Sequence, residues 1–328
     1  MSRACCSALA GALLFVSSAR AEPNLWQRVH DPGAGARNKA RARAEQLFDE
    51  ASGARADLEM LRELSLGSAA LLELSGGARR DPWQAVLLGR VLLDAEPGRE
   101  REAIRLIESG LLALPASDFK RASLFDVGLG AMLSGEMEHA TRAFSAALDL
   151  AWDPDDRATI HRNRGKANML SGRLAEAVSD FRAAVRLARG VEVLALSHFG
   201  LGVALERSGD YPQGMQEIGR GVAVRLPVPP YPSESVLDSL NLRWIPEYDV
   251  HYFRALAAMS EAALADSRGA QRERYELALE SWSQYLPAAE ASRDRFVVNA
   301  QRLQQRCVDA LVRLEQAQHP PPRSGRVR

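Results

Sequence analysis

The chain has 328 residues, a formal net charge of zero, 46% apolar residues and three cysteines. Balanced charge argues against a general nucleic-acid binder, which needs a clustered excess of Lys and Arg to neutralise phosphates. The apolar share is ordinary for a folded protein and provides enough material for a continuous core.

Residues 1–21 have the layout of a secretory signal peptide. Arg3 gives a weak positive start, Ala8 to Val16 a short apolar run, and Ala19-Arg20-Ala21 a cleavage signature. Cleavage after Ala21 leaves a mature chain starting at Glu22. The apolar run is too short for a permanent membrane helix, and Cys5 and Cys6 precede it, where a lipid anchor has no place. The expected product is periplasmic or secreted, without stable membrane insertion. It keeps only Cys307, so no internal disulfide is possible. Cys307 could pair with another chain, but it falls on the apolar stripe Phe296, Ala300, Leu303, Cys307, Leu311, Leu314. That stripe follows one helix face and places the thiol in a core.

Residues 22–36 read as a linker carrying Pro23, Pro32, Gly33 and Gly35. Residues 37–80 pattern as helices outside any repeat, as expected of an N-terminal cap to a stack. Asp81-Pro82 is an N-cap followed by proline at the first helical position. From there to residue 225 a unit of 37 residues recurs. Ser134-Gly135-Glu136 returns as Ser171-Gly172-Arg173 and as Ser208-Gly209-Asp210. Each is preceded by a glycine (Gly128, Gly165, Gly202). Each is followed by a small residue (Ala140, Ala177, Gly214), a large apolar one (Phe144, Phe181, Ile218) and a second small one (Ala147, Ala184, Gly221). The register extends upstream to Gly98, Ala103, Ile107 and Gly110, where the first helix lacks the glycine. A fixed period of this size marks stacked helical units, and small residues let paired helices approach while the bulky one fills the gap beside them.

Residues 226–248 break the period with five prolines (Pro227, Pro229, Pro230, Pro232, Pro246). They read as a stiff strut rather than a polyproline ligand. Residues 249–317 return to helices, with Ala278, Trp282 and Tyr285 echoing the second helix of the repeat. Residues 318–328 read as a disordered tail.

This order of residues resembles the tetratricopeptide repeat, although that family's usual period is 34. The resemblance implies an all-α, right-handed superhelical solenoid of antiparallel helix pairs, with about four repeats and atypical helices at both ends. It also implies a job, a non-enzymatic scaffold that binds a protein or peptide partner on the concave face. Carried over by position, the groove should present Phe125, Arg162 and Phe199 in one row. Leu129, Lys166 and Val203 form the next, and Met132, Met169 and Glu206 the third. The partner-binding set is therefore Phe125, Leu129, Met132, Arg162, Lys166, Met169, Phe199 and Glu206. Arg162, Asn163 and Lys166 cover part of the clamp by which some members hold a peptide's C-terminal carboxylate, while Leu196 and Gly200 break it in the third repeat. The proline-rich segment is an alternative occupant of the groove.

Neither catalytic nor phosphate-binding signatures occur, and no cofactor is expected. His161 and His198, 37 apart, admit a two-histidine metal site; a closed structural zinc site wants four ligands, so they are read as packing residues. The competing reading is a small-ligand binder or enzyme with its site around Tyr231, Trp244 and His251.

Overall fold

The computed structural model describes residues 34–53, 66–73, 81–95, 97–224, 237 and 244–318. Every regular element among them is an α-helix. In order they are α1 (Ala34–Gly53), α2 (66–73), α3 (Pro82–Ala95), α4 (Glu100–Leu111), α5 (Asp118–Leu133) and α6 (Met137–Leu150). Then come α7 (Pro154–Leu170), α8 (Leu174–Leu187), α9 (Val191–Arg207), α10 (Tyr211–Ala223), α11 (Asp249–Leu264), α12 (Arg268–Ala291) and α13 (Val297–Gln318). The signal peptide, most of the proline-rich segment including Tyr231, and the tail beyond Gln318 lie outside the described residues.

The chain divides into two compact units, Met1–Ser171 and Gly172–Arg328. The border falls at a Ser-Gly turn inside the repeated region, which the periodicity by itself treats as one run. In the first unit α3 packs on α4 and α5 on α6. In the second, α9 packs on α10, α11 on α12, and α13 on α12.

The glycines explain how closely the paired helices approach. A Cβ on Gly128 would stand 2.4 Å from the Phe144 ring, and one on Gly202 would stand 2.7 Å from Ile218 and 2.8 Å from the Gly214 carbonyl. Phe144 and Ile218 are fully buried. The first hairpin makes the same contact by a different route. Val91 occupies the register position of the missing glycine, but Gly89, two residues earlier, meets the Ala103 carbonyl and Ile107, each within 2.6 Å of a built Cβ. The turn glycine Gly98 stays in register, so the shift is confined to α3.

The Ser-Gly turns are left-handed caps. Gly135 and Gly209 have φ of 77° and 98°; the Gly135 N–H donates to the Met132 carbonyl and that of Glu136 to Ala131. This double bond closes the last turn of a helix and needs a residue tolerant of positive φ. Ser292-Arg293-Asp294 closes α12 in the same way, with Arg293 at φ 54° and Asp294 N–H donating to Ala289.

The departure from a 34-residue period also has a visible use. Lys120 Nζ donates to the carbonyls of Leu111 and Leu114, both at 2.9 Å. One period later, Arg157 donates to Leu148 and Ala151. In each case a long basic side chain from the next helix satisfies carbonyls that the helix end leaves open. Asp153 caps α7 through the amides of Asp155 and Asp156, and Asp81 accepts from the Trp83 amide, as the two Asp-Pro pairs foretell.

Candidate functional site

Within the first unit, α5 and α7 are the first helices of successive hairpins and contact each other. Their facing register positions carry Phe125 and Leu129 on α5, and Arg162 and Lys166 on α7. All four are half-buried. Phe125 leans on Phe144, with ring centroids 5.5 Å apart, so its ring is supported from below by the repeat's own core.

Arg162 is the distinctive group. It makes no hydrogen bond or ion pair among the described residues. Burial without a counter-charge pulls its guanidinium down to about 10. Neighbouring arginines of the unit are otherwise employed: Arg121 pairs with Asp156 at 2.9 Å, Arg90 with Asp126 at 2.6 Å, and Arg164 donates to Ser145. A desolvated, unpaired guanidinium with five donors gains most from a carboxylate or phosphate oxygen. Asn163 does not join it, since its amide donates to the Thr159 carbonyl of its own helix. The partial clamp suggested by Arg162, Asn163 and Lys166 therefore loses its middle member.

The other predicted contact positions lie elsewhere. Met132 and Met169 in the first unit, and Phe199 and Glu206 in the second, are each at most 1% exposed, so as placed they present no surface to a partner. Phe199 packs where Gly221 leaves room for its ring. Glu206 faces a polar cluster: it accepts from the Tyr252 hydroxyl, from Asn299 at 3.4 Å and from Arg302 at 3.3 Å. Nothing within the repeat announces those three partners, because all of them come from helices beyond the proline-rich segment.

Further titratable groups join Glu206 there. Arg207 pairs with Asp249 at 2.5 Å and lies over the rings of Tyr252 and Phe296, at 4.3 and 4.1 Å. Desolvation pulls the Arg207 guanidinium down, but Asp249 and the two neighbouring tyrosines outweigh it, and the net shift is upward. Burial, with Glu206 beside it, holds Tyr252 far above its ordinary range. Tyr248 and Tyr285 both donate to Asp294. Glu206, Asp249, Tyr252, Trp282 and Tyr285 are 0% exposed, so no substrate reaches them as placed. The geometry suits a structural lock between α9, α11, α12 and α13.

Of the residues assigned to the competing ligand site, Trp244 packs edge-on against Phe253 at 4.9 Å. His251 buries Nδ1 without a hydrogen-bond partner, and desolvation, aided by Arg254, lowers its pKa. His198 is held by Glu217 at 2.7 Å. Among the described residues no group of three or more His, Cys, Asp or Glu side chains could hold a metal ion, and no helix is long and apolar enough to cross a membrane.

No protein-family model matches the chain, and no curated protein matches it. Solved structures do. The C-terminal part of a TPR repeat-containing protein from Cytophaga hutchinsonii is 14% identical, with 82% of this chain and 95% of that chain covered at a TM-score of 0.46. BtubC (BKLC) from P. vanneervenii is 16% identical over 88% of this chain and 96% of that one, at 0.42. In the Cut9–Hcn1 hetero-tetramer of the APC/C the figures are 12%, 86%, 54% and 0.46. The hairpins' own contacts at Gly128, Gly202, Phe144 and Ile218 make this an all-α protein of closely packed, repeated helix pairs.

Proposed function

We propose that the protein is a non-enzymatic scaffold of the cell envelope that holds an acidic partner segment against α5 and α7. The observation that carries this reading is Arg162, a half-buried guanidinium with no counter-charge among the described residues, on the helix that contacts the one carrying the apolar side chains of Phe125 and Leu129. An arriving carboxylate supplies the counter-charge that offsets the cost of burying Arg162, and the apolar pair takes adjoining side chains of an extended peptide or helix. Lys166 adds positive charge one turn further along α7. Placement in the envelope rests on the signal-peptide pattern of residues 1–21.

The test is recovery of partners from envelope extract by the purified chain, compared with Phe125→Ala and Arg162→Met. Both variants should lose the same partner, and loss through Arg162→Met should deepen as salt is lowered in the wash of the wild type. Undiminished recovery by both variants sinks the groove assignment. Of the competing ligand site, Trp244 packs on Phe253, His251 buries an unpartnered Nδ1, and Tyr231 lies outside the described residues.

A further inference from the structure

The last helix leaves one face uncovered. Along α13, Ala300, Leu303, Cys307 and Ala310 are buried on the side that packs on α12, and Phe296 is buried just before its first turn. The opposite side carries Val298 at 72%, Val308 at 38% and Val312 at 44% exposure, with exposed Gln301 and Gln305 between them. At 100° per residue these five positions fall within about 80° of arc, a single stripe. On this 22-residue helix Val308 and Val312 stand one turn apart, and Val298 lies nearly three turns before them on the same water-facing side.

We infer that this stripe is a self-association surface, on which α13 packs antiparallel against α13 of a second copy about a two-fold axis at Gln305. The argument for a second copy is that the stripe complements itself. With Gln305 on the axis, Val298 of each copy faces Val312 of the other, twice. The same register places Arg302 beside Asp309 of the other copy, on the same flank of the seam. Within the two helices it opposes no like charges. Arg302 is 53% exposed at its side chain while touching Glu206, so its outer donors remain reachable. A closed two-fold pairing needs such an isologous patch, the same residues on both sides. A pair of helices is smaller than the ~1,600 Å² of a standard interface, so a weak, concentration-dependent association is expected.

Sedimentation equilibrium of the full chain, loaded from about 1 to 100 µM, reads this directly. The wild type should pass from monomer to dimer across that range. Val298→Lys/Val312→Lys sets like charges face to face at both ends and should stay monomeric with an unchanged circular-dichroism melt. Val298→Lys/Val312→Glu sets opposite charges face to face and should dimerise again, most strongly at low salt. A wild type that remains monomeric overturns the inference. So does a lysine pair that dimerises like the wild type, which would place any contact elsewhere. Dimerisation that appears only after truncation at Gln318 also overturns it, because the tail would then be the occupant of the stripe.

Discussion

Removal of Asp249 is the sharpest perturbation of the second unit. Its carboxylate lies 2.5 Å from Arg207, with the two side chains 1% and 0% exposed, so solvent screens neither charge. Asp249→Ala leaves a buried cation without its counter-ion, a change that typically costs about 3–5 kcal/mol. The rings of Tyr252 and Phe296 remain stacked on the guanidinium and retain about 1–2 kcal/mol of its stabilisation, which places the loss nearer 3 than 5. Against a usual domain stability of about 5–15 kcal/mol that is a large share. The double variant Arg207→Met/Asp249→Val removes both charges at nearly the same total volume, so its cost should fall to about 1 kcal/mol or less. The assay is urea unfolding followed by near-ultraviolet circular dichroism, because Trp282 lies edge-on to Tyr252 at 5.0 Å and reports on this cluster. A cost below about 1 kcal/mol for Asp249→Ala, or a double variant less stable than the single one, refutes the reasoning.

Three further outcomes are expected. Gly128→Ala forces a methyl to within 2.4 Å of the Phe144 ring and should cost about 1–3 kcal/mol, with Phe144→Leu recovering part of the loss in a double-mutant cycle. Burial, partly offset by the Trp282 indole, pushes the Cys307 thiol up to about 12. In a Cys5→Ser/Cys6→Ser background the native protein should therefore resist a thiol reagent at pH 8 and react fully in urea. Because the folded form holds this proton longer than the unfolded one, the thiol's contribution to stability declines as pH rises from about 9 towards 12; a native thiol that reacts at pH 8 contradicts the placement. Arg162→Met removes an uncompensated, partly desolvated charge and should stabilise the free protein by roughly 1 kcal/mol while abolishing acidic-peptide binding, as read by melting temperature and anisotropy. A variant that is destabilised instead reveals a structural role for that arginine.

The repeat was legible because close helix packing leaves a mark in residue size. Glycine and alanine facing Phe144, Phe181 or Ile218 recur wherever backbones approach, and a turn that needs positive φ selects glycine at the same offset each time. That logic also explains two imperfect readings. The glycine of the first helix moved two residues to Gly89 and so escaped a search at fixed spacing. The turn at Arg293 repeats Ser-Gly-Asp with arginine in the strained position, and only its φ of 54° reveals the kinship. The offsets of Phe125, Leu129, Arg162 and Lys166 on α5 and α7 follow from the repeat, since side-chain direction along a helix follows from its pitch, and all four are half-buried.

What those positions do was decided by elements far away in the chain. Glu206 has the right offset to face a groove, but helices beyond the proline-rich segment bring Tyr252, Asn299 and Arg302 onto it. Likewise, the sequence shows that Arg162 is basic, and only the packed surroundings show that it lacks a counter-charge while Arg121, Arg90 and Arg164 have partners. Local pattern dictates helices, turns and the small-to-large contacts within a hairpin, because those depend on neighbours at fixed separation. Burial, pairing and desolvation depend on which distant residues arrive, and tertiary structure alone settles those.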